Sequence, residues 1–162
     1  MLDNKINNRS VVNTDFRTWV LFEELMADMN ISEEDKLLLS FELAGTTNYT
    51  DIIWFYSCGK TNKNKSESGN GCSEVLYSFT EDEDLIYAAF KAQYNIDLMR
   101  VNMHWWEFKA LFVGLHNQKI NDIMGYRGYN GTDKEYLKLK STFALPFRYK
   151  REDTSEFEKI FG

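Results

Sequence analysis

The residues Cys58-Gly59-Lys60-Thr61 resemble the end of a phosphate-binding loop. A complete loop of this kind has an earlier glycine that lets backbone amides curl around the phosphate, and Trp54 holds that position here. The motif also places a helix directly after the lysine, where free amides meet the anion. Here a polar stretch follows instead. We therefore expect no nucleotide site, and Gly59 is better explained as the residue that ends a helix.

Four side chains could in principle bind zinc, namely Cys58, Cys72, His104 and His116. Structural zinc sites use ligand pairs close enough in sequence to bind from one turn, and neither pair has that spacing. A cysteine nucleophile needs a histidine base beside it and a third group that orients the base. The sequence leaves open whether His104 meets Cys58 in space. A thiol flanked by aromatic residues is, however, more often a small core residue.

The acidic run Glu81-Asp82-Glu83-Asp84 lacks the ligand spacing of a calcium loop. Acidic residues at the beginning of a helix complement the partial positive charge there, so the run predicts a helix start. The chain also shows neither a serine-centred nucleophile turn nor a glycine-rich dinucleotide turn. We therefore expect a protein that is not an enzyme, with no metal and no cofactor.

The composition predicts a soluble domain. The chain has 162 residues, and its 12 Phe, 9 Tyr and 4 Trp are sufficient for a core without disulfides. Because the first residues lack a signal-peptide pattern, the two cysteines indicate a reducing cytoplasm. No apolar run is long enough to span a membrane. The formal net charge of −6 repels phosphate backbones, so we do not expect a nucleic-acid partner.

The hydrophobic pattern predicts a mostly α fold, with about six helices in a single compact domain at residues 1–146. Residues 60–73 contain no large apolar side chain and are expected to form a mobile loop within that domain. Residues 147–162 are interpreted as a charged C-terminal tail. Near the N-terminus, residues 5–12 could pair as a small β-hairpin, because Asn7-Asn8 tolerates a tight turn.

The most apolar stretch, at about residues 103–116, predicts a buried central helix around which the others pack. Adjacent Trp105 and Trp106 point about 100° apart on a helix, so both are buried only if that helix is enclosed. If one of them is exposed, it becomes a candidate anchor for a partner, since Trp and Arg dominate binding hot spots.

Tyr126 and Arg127 lie within a predicted glycine-rich connector at residues 125–131, where loops present side chains to partners. The alternative is that Arg127 ties down the C-terminus of a helix. The chain is also rich in methionine, which can form an adaptable binding surface or simply fill a core. The methionines considered are Met26, Met29, Met99, Met103 and Met124.

Seven groups of residues, taken in order, are similar to the bacteriophage "gene product fifteen" family of tailed phages and prophages of Gram-positive bacteria. The similarity covers about residues 10–146, while the 60–73 loop and the tail depart from the family pattern. The groups are Thr14-Asp15-Phe16-Arg17; Trp54-Phe55-Tyr56 with Cys58-Gly59; Tyr77-Ser78-Phe79; Tyr87-Ala88-Ala89-Phe90; His104-Trp105-Trp106; Ile123-Met124 with Tyr126-Arg127; and Ala144-Leu145-Pro146.

The resemblance implies a tail morphogenesis factor that acts in the host bacterial cytoplasm. Members are encoded among tail genes, in a position similar to that of tail assembly chaperones. Such chaperones coat the long apolar tape measure protein until the tail tube forms around it. The implied partners are therefore the tape measure protein, a sister tail assembly chaperone and further copies of this chain.

Five residues within the shared motifs are expected to contact a partner: Arg17, Trp105, Trp106, Tyr126 and Arg127. Two other functions remain as alternatives to the chaperone. One is a structural tail component that is retained in the virion. The other is a small enzyme that uses Cys58 or binds a nucleotide at Gly59-Lys60-Thr61.

Overall fold

The computed structural model describes residues 12–60 and 74–146, and these residues form seven helices without a sheet. Within these ranges, one isolated antiparallel bridge joins Asp15 to His104. The predicted mostly α fold is confirmed, with one helix more than the expected number of about six. The helices are α1 (Phe16–Ala27), α2 (Glu33–Ala44), α3 (Tyr49–Tyr56), α4 (Glu83–Tyr94), α5 (Trp105–Val113), α6 (Lys119–Arg127) and α7 (Lys134–Thr142).

Short polar side chains fix where the first two helices begin. The Asp15 carboxylate accepts the Arg17 amide at 2.8 Å, and the Ser32 hydroxyl accepts the Asp35 amide at 3.2 Å. These bonds satisfy amides that have no partner within the helix. Gly45 ends α2 with a φ of 74°, a left-handed conformation that glycine adopts without strain. Ser32 therefore begins α2 and Gly45 ends it.

The core is a set of stacked aromatic rings contributed mainly by α1, α3, α4 and α5. The Phe108 ring lies 4.8 Å from that of Phe16 and 5.2 Å from that of Phe90, measured between centroids. On the other side, Trp19 lies 4.9 Å from Phe55. Ring pairs at these separations contribute stability beyond the burial of their area. The aromatic residues therefore form one continuous core, with Phe108 of α5 near its centre.

Helix α5 is shorter than the predicted 103–116 stretch, and only one of its faces is buried. Trp105, Phe108 and Phe112 lie in the core at a spacing of three and four residues, whereas Val113 is 78% exposed. The expected enclosure of this helix therefore does not extend to its outer face. Because the exposed face also carries apolar residues, the sequence of α5 lacks the regular alternation of apolar and polar residues that would have predicted which face is exposed.

Residues 74–82 begin the second described range and form a non-helical segment that leads into α4. Glu24 of α1 holds it, accepting the Phe79 amide at 2.7 Å and the Ser78 hydroxyl at 3.0 Å. Three predicted features lie outside the described residues wholly or almost wholly: the hairpin at 5–12, the loop at 60–73 and the tail at 147–162.

Candidate partner-binding surface

The two tryptophans at the start of α5 lie against the end of α3. Trp105 is 0% exposed, and its Nε1–H donates to the Tyr56 carbonyl at 3.0 Å. Trp106 is half-buried, and its Nε1–H donates to the Phe55 carbonyl at 2.8 Å while its ring packs edge-on against Trp54. These bonds satisfy carbonyls in the last turn of α3. Trp105 is therefore a core residue that presents no surface to a partner, which corrects its assignment to a contact site.

Arg127 is also buried, and its guanidinium group holds several segments together. It forms a bidentate ion pair with Asp82 at the start of α4, with distances of 2.6 and 2.9 Å. Its Nε–H donates to the Phe143 carbonyl at the end of α7 at 2.6 Å, and Nη1 donates to the Leu76 carbonyl at 3.0 Å. These contacts agree with the alternative interpretation, in which Arg127 ties down a helix C-terminus, because Phe143 follows the last residue of α7. The burial of Arg127 corrects the expectation of a partner contact.

Tyr126 and Arg17 are only partly buried. The Tyr126 ring stacks on Phe143 with a centroid separation of 5.8 Å. Arg17 donates from Nη2 to the Val101 carbonyl at 2.7 Å and pairs with Asp15 through Nη1 at 3.2 Å. Both side chains brace neighbouring segments and keep part of their surface exposed. Partner contact by these two residues, and by the exposed part of Trp106, stays a prediction.

An apolar groove between α1 and α2 was not among the predicted sites. It has a volume of about 390 Å³ and is lined by Leu21, Leu25, Leu39, Glu42 and Leu43. Leu21 is 57% exposed, although burying a leucine side chain is worth roughly 1.5–3 kcal/mol. Leucines four residues apart on each helix share one face. The two helices therefore offer a leucine-lined surface to the solvent, which we call the α1–α2 groove.

One acidic residue lines the α1–α2 groove, and the other exposed charged residues of α2 are also acidic. Glu42 lines it directly, and exposed Glu34 and Asp35 occupy the first turn of α2. The single lysine of α2, Lys36, is buried and donates to Glu33 at 3.1 Å. The exposed charge of α2 is therefore negative.

A second, smaller cavity of about 230 Å³ lies between the segment near Tyr77, the outer side of α5 and α6. At one edge, Lys109 donates to the Tyr77 hydroxyl at 3.2 Å and to Glu23 at 3.4 Å. The Tyr77 hydroxyl in turn donates to Glu23 at 2.5 Å. Lys109 and Glu23 neutralise each other and both hydrogen-bond to Tyr77, so the polar edge of this cavity acts as a cross-link between α1 and α5.

The methionines are divided between core and surface. Met103 is buried, and Met26 and Met124 pack against the core from partly exposed positions. Met29 and Met99 are exposed. Core filling therefore accounts for Met103, while the two exposed methionines have the character required for an adaptable contact surface.

The environment of Cys58 disfavours a nucleophilic thiol. Burial raises the pKa of the Cys58 thiol, and nearby Lys109 and Lys60 offset this effect only in part. The thiolate is the reactive form of cysteine, so a raised pKa lowers its population at neutral pH. The Nδ1 atom of His104 already accepts the Trp106 amide at 3.1 Å, and the ring contacts Phe55. That nitrogen is therefore used to begin α5, and burial lowers the pKa of His104.

In the ranges 12–60 and 74–146, no three or more His, Cys, Asp or Glu side chains are grouped so that they could hold a metal ion. Over the same ranges, no helix has both the length and the apolar character needed to cross a membrane.

The fold and surface define a small helical domain with an aromatic core and an apolar groove that Glu42 helps to line. The family described as Bacteriophage Gp15 protein matches residues 5–145, and the chain therefore belongs to this family. This confirms the resemblance found in the sequence motifs. Family membership suggests a structural or morphogenetic phage protein. No curated protein and no solved structure matches the chain.

Proposed function

We propose that this protein is a tail assembly chaperone that binds the tape measure protein during tail assembly. Membership of the Bacteriophage Gp15 family supports a phage role, and the α1–α2 groove supports a role in protein binding. We also propose that the protein acts in the host bacterial cytoplasm, where tails assemble, and performs no catalysis. The raised pKa of Cys58 is consistent with the absence of a thiol nucleophile.

The observation that carries this proposal is the solvent exposure of leucines on two adjacent helices. A long helical client presents apolar side chains at positions i, i+3, i+4 and i+7, and a groove between two helices can receive them. Leu21 and Leu39 occupy opposite sides of the α1–α2 groove, one on each helix. A shallow groove of this size binds weakly, so many copies along one client gain affinity through avidity. The proposal therefore includes self-association, with a sister chaperone as a further partner.

Co-purification from phage-infected cells tests the proposal. The tagged protein is expected to retain tape measure fragments, and a Leu21→Glu, Leu39→Glu variant is expected to lose them. Both leucines are exposed, so these changes should leave the fold intact. Val113→Glu is the matched control, because it places the same charge at an exposed apolar position of α5. Loss of the client with Val113→Glu alone would move the binding site to the other cavity and contradict the proposal.

Purified virions provide an independent test. A chaperone is expected to be absent from finished particles, whereas a structural tail component would be present in stoichiometric amounts. Mass spectrometry of particles distinguishes these outcomes. Phage carrying Cys58→Ala or Lys60→Ala are expected to give unchanged yields. A large loss of yield with a correctly folded variant would favour an enzyme instead.

A further inference from the structure

We propose that the α1–α2 groove selects a basic amphipathic helix, in which lysine or arginine residues flank a stripe of leucine-like side chains. This inference rests on the proposed function and specifies the chemistry of the partner segment. It follows from two features of the same surface, the apolar lining and the sign of the charges around it.

The apolar lining fixes the shape of the segment that can bind. Leu21 and Leu25 lie one turn apart on α1, and Leu39 and Leu43 lie one turn apart on α2. Side chains spaced by one turn on both walls match a helix laid along the groove, because its own apolar residues recur every three or four positions. An extended strand would place alternate side chains about 7 Å apart and on one face only.

Glu42 in the groove wall and the negative exposed charge of α2 fix the polar flanks of that segment. Glu42 is part of the groove wall, and Glu34 and Asp35 are exposed on the same helix. No basic residue of α1 or α2 is free to balance them. Lys36 is paired with Glu33, and Arg17 is held by Asp15 and by backbone carbonyls. A segment with acidic flanks would be repelled, whereas one with basic flanks would be attracted and oriented.

Binding of two synthetic helical peptides to the full-length protein tests this inference. Both peptides carry leucine at i, i+3, i+4 and i+7, and one has lysine on both flanks where the other has glutamate. Fluorescence anisotropy is expected to show roughly three- to tenfold tighter binding of the lysine peptide at low ionic strength, given the modest strength of exposed charge pairs. The difference should shrink as salt screens the charges.

Variants identify the residues responsible. Glu42→Lys is expected to remove most of the preference for the lysine peptide, and Glu135→Lys on exposed α7 is the control that should leave it unchanged. Leu39→Glu is expected to abolish the binding of both peptides. Equal binding of both peptides by the wild-type protein would overturn the charge selection.

Two further outcomes separate this inference from the proposed function. If neither peptide binds while tape measure fragments still co-purify, the groove does not select a basic helix, although the chaperone role stands. If peptides bind as expected but no tape measure fragment is retained, the recognition chemistry stands and the client is a different protein. A concentration-dependent dimer that Leu39→Glu dissociates would assign the groove to a second copy of this chain and overturn the inference.

Discussion

Arg127 and Asp82 form a buried, bidentate ion pair between the last residue of α6 and the residue that precedes α4. The Nη1–Oδ2 distance is 2.6 Å and the Nη2–Oδ1 distance is 2.9 Å. The two side chains are only 8% and 3% exposed. Parallel N–H···O bonds of this kind require both planar groups to be held in register. The pair therefore fixes the position of α6 relative to the start of α4.

Replacing Asp82 with asparagine is expected to lower the free energy of unfolding by about 3–5 kcal/mol, because a guanidinium ion remains buried without its counterion. Urea denaturation followed by circular dichroism measures this loss. The control is Glu74→Gln, which removes an exposed carboxylate 2.8 Å from Lys140 and should cost at most about 1 kcal/mol. Similar losses for the two variants would show that the buried pair contributes no more than a surface pair.

Truncations at a buried and at an exposed position of α5 test how much of this helix is enclosed. Trp105→Ala removes a fully buried indole and is expected to cost about 3–5 kcal/mol. Val113→Ala lies on the exposed face and is expected to change stability by less than about 0.5 kcal/mol. Thermal unfolding of both variants provides the comparison. A Val113→Ala loss as large as that of Trp105→Ala would indicate that the whole helix is enclosed.

Gly59 and Gly45 form a matched pair for separating backbone strain from packing. Both have positive φ, at 68° and 74°, so alanine costs each about 1–2 kcal/mol. A methyl group at Gly59 would lie 3.2 Å from the Trp54 ring and 3.3 Å from the Trp106 ring. A methyl group at Gly45 would have no packing neighbour within 4 Å. We expect Gly59→Ala to lose about 1 kcal/mol more than Gly45→Ala in denaturant unfolding. Equal losses would mean that the two indoles move aside without cost.

Local signals in the sequence predicted much of the helical framework. Ser32 begins α2 and Gly45 ends it, since capping depends on residues only a few positions away. The partners of Arg127 were not predictable in this way. Asp82 is 45 positions distant, and only the packing of α6 against the start of α4 brings the two together. Only the tertiary structure could therefore show that Arg127 is buried in an ion pair.

The α1–α2 groove could have been predicted in part. Leu37-Leu38-Leu39 are three consecutive leucines on α2. Successive residues of a helix point about 100° apart, so a helix that packs through one side must expose some of such a run. Leu38 is 64% exposed. What the sequence could not provide is the position of Leu21 and Leu25 opposite this run, because that depends on how α1 packs against α2.

The stability of the fold is expected to depend on pH through His104. Its Nδ1 atom begins α5 by accepting the Trp106 amide at 3.1 Å, which requires the nitrogen to be unprotonated. Burial lowers the pKa of His104 below its ordinary value of 6.5, and Glu107 opposes this in part. Between the two pKa values the unfolded chain binds more protons than the folded chain, so stability rises with pH in that window. The contribution is complete above about pH 6.5 and is lost as the pH falls toward the folded-state value.

Denaturant unfolding at several pH values between about 7.5 and 5.5 measures this dependence. The comparison is His104→Asn, because asparagine caps a helix through its side-chain oxygen and does not titrate. His116 and every carboxylate are common to both proteins, so they cancel in the difference. The wild-type protein is expected to lose stability more steeply below about pH 6.5, by up to about 1 kcal/mol, the typical value of one helix cap. Parallel pH profiles would show that the His104 cap does not titrate in the folded protein.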